Sequence, residues 1–422
     1  MPPVRAVLLT QYFPPEVGAP QARIAALAKG LAASGVETTV HTCFPHYPDG
    51  RVKAPYRNRP VAVEREGDVR VVRSVVYPAP NRGFARRLAG HLSFAASALA
   101  TARRAGPADV VLVESPPLFL AGAAIAYARA KRAALVVNVA DLWPDSAIEL
   151  GALSSPLAIG AARAVERAAY RAAVAITCPT EGIAAALARR PESAGKEALM
   201  LPAVDLERFD PSPPFASGGG AAAERGGPGA RPAPLRALYA GTVGMAHGLG
   251  TLLDAAELVA AEADGPPLEV TIAGDGAEAP ALRARLERHG PAGVRMLGAV
   301  PSERIPGLYA ASDVAVVMLR DRPIFHGALP TKMLEAMAAG RPVVLAAAGE
   351  AARLIERTRA GVVVAPEDPA ALAAALRGLA ADPERRARLG AAGRRAVEAE
   401  FGRAAWIERW RELLESVSSL AA

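Results

Sequence analysis

Short runs of Val, Ile and Leu recur along the chain, separated by longer stretches whose apolar positions repeat every three to four residues. The first kind predicts strands and the second amphipathic helices. In the first half the strand-like runs are "VRAVLLT", "ETTVHTCF", "VRVVRSVVY", "ADVVLVES", "ALVVNVAD", "AVAITCPT" and "EALMLPA". The stretch "PSPPFASGGGAAAERGGPGARPAP", 211–234, then breaks every periodicity and reads as a flexible linker. The alternation restarts with "LRALYAGTV", "LEVTIAGDG", "VRMLGAV", "DVAVVML", "RPVVLAA" and "GVVVAP", and from about Asp368 onward the pattern is helical.

Near-continuous apolar strands alternating with helices mean parallel sheets covered on both faces. The pattern therefore predicts two doubly wound, Rossmann-like α/β domains facing a cleft, with C-terminal helices. The expected boundaries are 1–210, a linker at 211–234, 235–402, and a closing helix 403–422 that packs back on the first domain. Ligands of such sheets bind beyond the carboxyl ends of the strands, so those loops are where chemistry is sought.

Composition changes this picture little. The chain has 422 residues, 51% of them apolar and 22% charged, an ordinary globular balance. Cys43 and Cys178 lie in strand-like runs without a Cys-x-x-Cys pair or a Cys/His cluster, which predicts neither a metal site nor a disulfide framework and fits a reducing compartment. "MPPVRAVLLT" reads as a first strand rather than a signal peptide, and no run is long enough for a membrane span. Charge is more telling. Residues 51–104 carry 12 of the 49 Lys+Arg but 3 of the 42 Asp+Glu. Within them "NRGFARRLAGHLSFAASALATARRAG" reads as a helix with Arg82, Arg86, Arg87, Arg103 and Arg104 at its ends, suited to anionic lipid or to an acidic acceptor, or simply solvated. No nucleic-acid motif accompanies these residues, and no nucleic-acid partner is expected.

Several strand ends gather functional side chains. "QYFPPEVGAPQAR" follows the first strand, where Gly18 permits close backbone approach at a helix start and Glu16 faces the acceptor side. "VVNVADLWPDSAIELG" places Asp141, Trp143 and Asp145 at another tip, able to orient hydroxyls and stack on a ring, or to cap a helix and fill the core. "LYAGTVGMAHGLG" opens the second domain with Gly241, Gly244 and His247, whose imidazole can donate to a phosphate. Gly274 in "IAGDG" marks a further turn, and Val300 in "LGAVP" offers backbone groups to a flat base. The fullest signal is "HGALPTKMLEAMAAGRPVV". Gly327, Ala328, Leu329 and Thr331 lead into a helix whose first turn presents unpaired N–H groups. Lys332 there can neutralise a diphosphate, and Glu335 can accept hydrogen bonds from a ribose diol. The plain alternative is a Lys332–Glu335 surface pair worth a few tenths of a kcal/mol.

"LPTKMLEAMAAGRPVV", "LYAGTVG…HGLGTLLDA", "IAGDG", "LYAASDVAVVML" and "QYFPPEVGAPQAR" together resemble the family 4 retaining glycosyltransferases of GT-B fold. With "FPHYPDG" at 44–50 and "DLWP", the chain looks most like the O-antigen and capsule branch exemplified by the fucosamine transferases. The resemblance implies a UDP-sugar held by the second domain, with Glu335 on the ribose, Lys332 near the diphosphate and the loop of Gly18 facing the donor phosphates. It also implies a retaining transfer of a hexosyl group by front-face attack, with no protein nucleophile, no metal and no other cofactor. The sugar would be an N-acetylated hexosamine or its 6-deoxy relative. The acceptor would be a glycan or polyprenyl-linked saccharide in surface polysaccharide biosynthesis, reached by a cytoplasmic enzyme in peripheral contact with an anionic membrane. A soluble natural-product acceptor is the variant of that reading.

Three positions depart from the family pattern. Gly327 stands where the wider family has the first of two glutamates, His247 lies in a loop where it often has Arg and Lys, and Ala140 replaces a histidine after "VVNV". The catalytic candidates are therefore Asp141, Lys332 and His247. Two other readings fit the same two domains: a sugar-nucleotide epimerase, which needs no acceptor, and a non-catalytic nucleotide-sugar-binding partner.

Overall fold

The computed structural model describes residues 3–80, 84–149, 151–211, 233–262 and 265–419. The expected linker falls almost wholly outside the described residues, as does Arg82. The chain forms two compact units, Met1–Leu201 with Ala404–Ala422, and Pro202–Arg403.

In the first unit eight strands form one sheet in the order β3-β4-β2-β1-β5-β6-β7-β8. They are β1 Arg5–Leu9, β2 Glu37–Cys43, β3 Val61–Glu66, β4 Val69–Ser74, β5 Val110–Ser115, β6 Ala134–Val139, β7 Ala175–Cys178 and β8 Glu197–Leu199. All neighbours are parallel except β3 and β4. The central strands β5 and β6 are buried at every position, which is why they read as unbroken apolar runs. The antiparallel edge was not expected. Its strand "VAVERE" has no fully buried position, with Val63 and Arg65 exposed and the rest half-buried, and the two-residue turn at Gly67 and Asp68 joins it to β4. The basic stretch forms the helix Phe84–Ala100 followed by a short 3-10 turn at Ala102–Ala105. The last helix, Arg403–Ser418, lays Ile407 on Gly30 of the helix Ala19–Ala33, where a Cβ would stand 2.5 Å from Ile407 Cγ1.

In the second unit six parallel strands run in the order β11-β10-β9-β12-β13-β14: β9 Leu235–Ala240, β10 Leu268–Ala273, β11 Val294–Gly298, β12 Val314–Met318, β13 Val343–Ala346 and β14 Gly361–Val364. Leu252, Leu253, Val270, Ile272, Val316, Leu372 and Leu376 belong to its buried core. The helices Pro369–Ala381 and Pro383–Glu400 start as their sequences dictate, with the Asp368 and Asp382 carboxylates accepting from Ala371 N at 2.9 Å and Arg385 N at 2.7 Å. The stretch after Leu201 belongs to this unit. Arg394 donates to the carbonyls of Leu206, Phe209 and Ala338 at 3.2, 3.2 and 2.7 Å, pinning the 205–209 turn against the helix Thr331–Ala338.

Both sheets reverse strand order beside their first strand, between β1 and β5 and between β9 and β12. The same clamp holds each reversal at the strand entrances. Arg5 donates from N and Nε to Asp109 Oδ2 at 2.9 and 3.0 Å, while Arg236 does so to Asp313 Oδ2 at 2.8 and 3.1 Å. Asp109 N and Asp313 N return a bond to the arginine carbonyls at 2.8 Å each. The clamps close the entrances, and an α/β sheet holds its ligand at the opposite, carboxyl ends of its strands.

Candidate functional site

In the second unit the site grows from the end of β9. Tyr239 is fully buried in that strand, and its hydroxyl donates to Thr242 O at 2.6 Å. The same hydroxyl accepts from Lys332 Nζ at 2.7 Å, and Nζ sits 4.3 Å from the Tyr239 ring centroid. Gly241 makes room for this ammonium. Its φ is +144°, and a Cβ there would stand 2.8 Å from Nζ. From the other side Tyr309 OH donates to Lys332 O at 3.1 Å. Burial pushes the Lys332 ammonium down to about 7.

Glu335 lies one turn further along the same helix. The expected plain alternative does not form: Glu335 and Lys332 make no hydrogen-bonded ion pair, and Lys332 points at Tyr239 instead. Burial pushes the Glu335 carboxyl up to about 7, against the nearby Arg208 guanidinium and Lys332 ammonium, which hold it down. Arg208 was missed by the sequence reading because it precedes Glu335 by more than a hundred residues. Its guanidinium donates to Ser302 O, just after Val300, so the turn at 205–209 brings Glu335 and the loop after β11 together. Gly327, Ala328 and Leu329 are half-buried in the loop leading to this helix, and Thr331 is exposed at its first position. Glu350 N donates to His326 O at 2.7 Å and buttresses that loop from behind.

Two expected donor groups are used differently. The His247 ring lies against Tyr239, centroids 6.1 Å apart, and burial beside Lys332 pushes it down to about 3. Neutral, it donates Nδ1–H to Gly244 O at 3.3 Å, so Nε2 carries a lone pair and cannot donate to a phosphate until the ring is protonated. The α-carbon of Gly274, with φ +154°, faces the Gly241 carbonyl, so this glycine is required by backbone packing between the ends of β9 and β10. Gly244 lies near His247 as expected.

In the first unit, Gly18 precedes the helix Ala19–Ala33 beside Gln21, whose Oε1 is buried without a partner. Glu16 is turned inward: Oε1 accepts from His46 N at 2.6 Å and Tyr47 N at 2.7 Å, tying the loop after β1 to "FPHYPDG". That carboxylate is a brace and not an exposed acceptor contact. Asp145 is likewise committed, with Oδ2 2.5 Å from Arg190 Nη2 and Oδ1 3.6 Å from Arg163. Asp141 is exposed at the end of β6 and accepts from Ser146 Oγ at 2.8 Å; partial burial of its carboxyl pushes its pKa up. Trp143 is half-buried on Leu118 and Leu153, edge-on to Phe119 at 6.2 Å, and lines a pocket with Arg87, His91 and Pro116–Phe119. Among the described residues no group of three His, Cys, Asp or Glu is placed to hold a metal ion.

The two nucleotide-fold units, each with its polar residues at the strand-order reversal, define a GT-B protein. Residues 18–202 match the glycosyl transferase 4-like domain and residues 234–382 the glycosyl transferases group 1 domain. Each match covers less than half of the chain; together they take in most of it, and both are glycosyltransferase domains. It is similar to a protein named D-inositol 3-phosphate glycosyltransferase 2 from Catenulispora acidiphila, 34% identical over 49% of this chain and 48% of that one. The chain thus spans about half the length of the curated relatives it matches. Its fold matches sucrose-phosphate synthase from Thermosynechococcus elongatus with TM-score 0.75 at 19% identity, covering 99% of this chain and 100% of that one. It also matches Anabaena HepE in complex with UDP-glucose, with TM-score 0.67 at 17% identity, covering 98% and 99%. The curated relatives it matches carry the name D-inositol 3-phosphate glycosyltransferase, so the O-antigen branch does not follow from them.

Proposed function

We propose that the protein transfers a hexosyl group, with retention, from a UDP-sugar to a hydroxyl of a polyol or glycan acceptor. The observation that carries the reading is the Tyr239–Lys332–Glu335–Arg208 group at the β9/β12 reversal, a buried ammonium and a buried carboxyl on successive turns of one helix. In this reading Lys332 and the N–H groups of the first helical turn, at Thr331 and Lys332, neutralise the departing diphosphate. Glu335 accepts from the ribose diol, and the loops of Gly18, Gly244 and Gly327–Leu329 approach the donor closely. Val300 offers backbone groups to the base. His247 gains a proton as the diphosphate arrives and then donates to it. The protein supplies positioning and charge, and the acceptor hydroxyl is the nucleophile. Asp141, at the end of β6 with a raised pKa, is the candidate to orient that hydroxyl. Support for uridine comes from the HepE structures, which hold UDP and UDP-glucose. Support for a phosphorylated cyclitol acceptor comes from the names of the sequence relatives.

A second reading keeps the donor and takes a lipid-linked saccharide in surface polysaccharide assembly at the inner membrane face. It is favoured by the helix Phe84–Ala100, where Leu92 and Leu99 are exposed near Arg86, Arg103 and Arg104. No helix among the described residues is long and apolar enough to cross a membrane. Co-sedimentation with vesicles containing anionic lipid, lost on Arg103→Glu with Arg104→Glu, supports it.

The experiment for the donor site is a thermal-shift titration with UDP, GDP and ADP, repeated on Glu335→Ala. A nucleotide at a hundred times its dissociation constant adds about 2.7 kcal/mol. A UDP-selective shift lost in the variant is expected. The same purified protein is then given a panel of UDP-sugars with and without acceptors. Product formed without acceptor indicates an epimerase, and binding with neither hydrolysis nor transfer indicates a non-catalytic partner.

A further inference from the structure

In the second unit one side chain ties together four of the loops at the carboxyl ends of the strands. Arg320 lies two residues past β12, and three of its contacts fall on the loop after β9 that carries His247. Its backbone N–H donates to Ala246 O at 2.9 Å and its Nε to Met245 O at 2.6 Å. Its aliphatic stem lies on Gly248, where φ is +61° and a Cβ would stand 3.3 Å from Arg320 Cγ. The two remaining nitrogens reach two further loops. Nη2 donates to Glu278 Oε1 after β10 and Nη1 to Glu367 Oε1 after β14, at 3.1 Å each. Glu367 then turns back to the neighbour of Arg320, its Oε2 accepting from Asp321 N at 3.1 Å. Its φ is +58°, a left-handed backbone that is unfavourable for a glutamate and that these two bonds hold in place. Asp321 carries the tie onward, its Oδ1 accepting from His326 Nε2 at 2.8 Å, one residue before Gly327.

Surface ion pairing is the plain account of such a cluster, and it contributes little. Arg320 differs in that its shortest bond goes to a backbone carbonyl, and that its partners come from three separate loops. We propose that Arg320 is a positioning residue of the donor site, setting the His247 loop and the Gly327–Leu329 loop at a fixed separation so that both meet the same diphosphate. The assignment rests on the donor reading given above. None of these bonds reaches the side chain of His247, Lys332 or Glu335, so Arg320 acts through the loops and not on the ligand. The helix of Lys332 and Glu335 is anchored separately, by Met333, Leu334 and Met337 in the core and by Tyr309 OH on Lys332 O. The geometry requires an arginine, because a planar fork spans three acceptors from three loops while a lysine ammonium is a single point.

The test is equilibrium dialysis of the full chain against labelled UDP and labelled uridine, with melting curves on the same samples. Uridine carries the base and ribose but no phosphate, so it reports on Val300 and Glu335 and not on the two loops. Arg320→Lys and Arg320→Ala should weaken UDP by about tenfold or more and leave uridine within about twofold. Glu367→Gln, which keeps one acceptor oxygen of two, should weaken UDP by about threefold with uridine unchanged; with Arg320→Lys it carries the comparison if Arg320→Ala unfolds. Combined with His247→Ala, Arg320→Lys should cost at least about threefold less than the product of the two single losses, whereas combined with Glu335→Gln the losses should multiply. Equal losses for UDP and uridine, UDP binding unchanged in both Arg320 variants, or losses that multiply with His247→Ala overturn the positioning role and leave the donor reading standing. A wild-type chain that binds UDP no more tightly than uridine removes the donor reading, and this assignment with it.

Discussion

On the proposed reading, nucleotide binding against Lys332 and Glu335 is a proton-exchange reaction whose sign depends on pH. Both groups lie near 7, the ammonium pushed down and the carboxyl pushed up by burial. A diphosphate against Lys332 favours its charged form, so binding takes up a proton wherever the free lysine is neutral. A ribose diol donating to Glu335 favours the carboxylate, so binding releases a proton wherever the free acid is protonated. With both at about 7, pH 8 gives uptake of about 0.9 proton at Lys332 and release of about 0.1 at Glu335, and pH 6 gives the converse. Calorimetric titration of UDP in buffers of different ionisation heat reads these numbers. The nucleotide's own titration is common to wild type and variant and drops out of their difference. Glu335→Gln should differ from wild type by about one proton at pH 6 and by almost none at pH 8, whereas Lys332→Gln should show the opposite pattern. A Glu335→Gln difference that is absent at both pH values, or that grows with pH, refutes the placement of these two groups against the nucleotide.

The same shifts govern the protein without ligand. Glu335 binds its proton up to about 7 when folded and only up to its ordinary 4.5 when unfolded, so its contribution to stability falls as pH rises from 4.5 to 7. Glu335→Gln should then raise the free energy of unfolding at pH 7, by no more than about 3 kcal/mol at 1.36 kcal/mol per unit, and leave it unchanged near pH 4. Gly241→Ala places a Cβ 2.8 Å from Lys332 Nζ at a φ of +144°. It should cost roughly 1–3 kcal/mol in chemical denaturation and weaken UDP binding beyond that of a surface Gly→Ala control. Glu16→Ala leaves the His46 and Tyr47 N–H groups without an acceptor and should destabilise by roughly 2–4 kcal/mol in the same assay, while Glu16→Gln keeps an oxygen there and should cost about 1 kcal/mol or less. Asp145→Asn loosens the pairing with Arg190 and should lower stability by about 1 kcal/mol with UDP affinity unchanged, which separates this carboxylate from the binding residues.

Much of this was legible because parallel sheets write themselves into sequence as apolar runs. The strands around β5, β6, β12 and β13 are buried at every position, and each was found from its run. The β3 edge was missed because no position of "VAVERE" is fully buried, so it lacks the apolar run of an interior strand. In the candidate site, Lys332 and Glu335 stood out because they share a helix turn with a glycine-rich approach. Tyr239 was hidden inside an apolar strand, where an aromatic reads as core until its hydroxyl is seen to meet Nζ. Arg208, Gln11 and His91 could not be found from spacing, since each acts on a residue tens of positions or more away. Glu16 and Asp145 show the converse: an acidic residue in a promising loop is as easily a brace, and only its hydrogen bonds tell the two apart.

The two units repeat one device and diverge beyond it. At the strand entrances an arginine and an aspartate lock the first strand to its neighbour across the reversal, Arg5 with Asp109 and Arg236 with Asp313, with nearly the same bonds. Fixing that end leaves the loops at the carboxyl ends free to differ without loss of register. In the second unit they enclose an ammonium and a carboxyl; in the first they enclose a neutral imidazole and aromatic walls, with an unpaired guanidinium at the rim. Those are different chemistries: the first is the site proposed for the nucleotide, and the second, among the described residues, buries no ammonium–carboxyl group of that kind. Loss of UDP binding on Lys332→Gln, with UDP binding intact on Arg87→Ala, is the outcome this division requires; an Arg87→Ala protein that stays folded yet no longer binds UDP contradicts it.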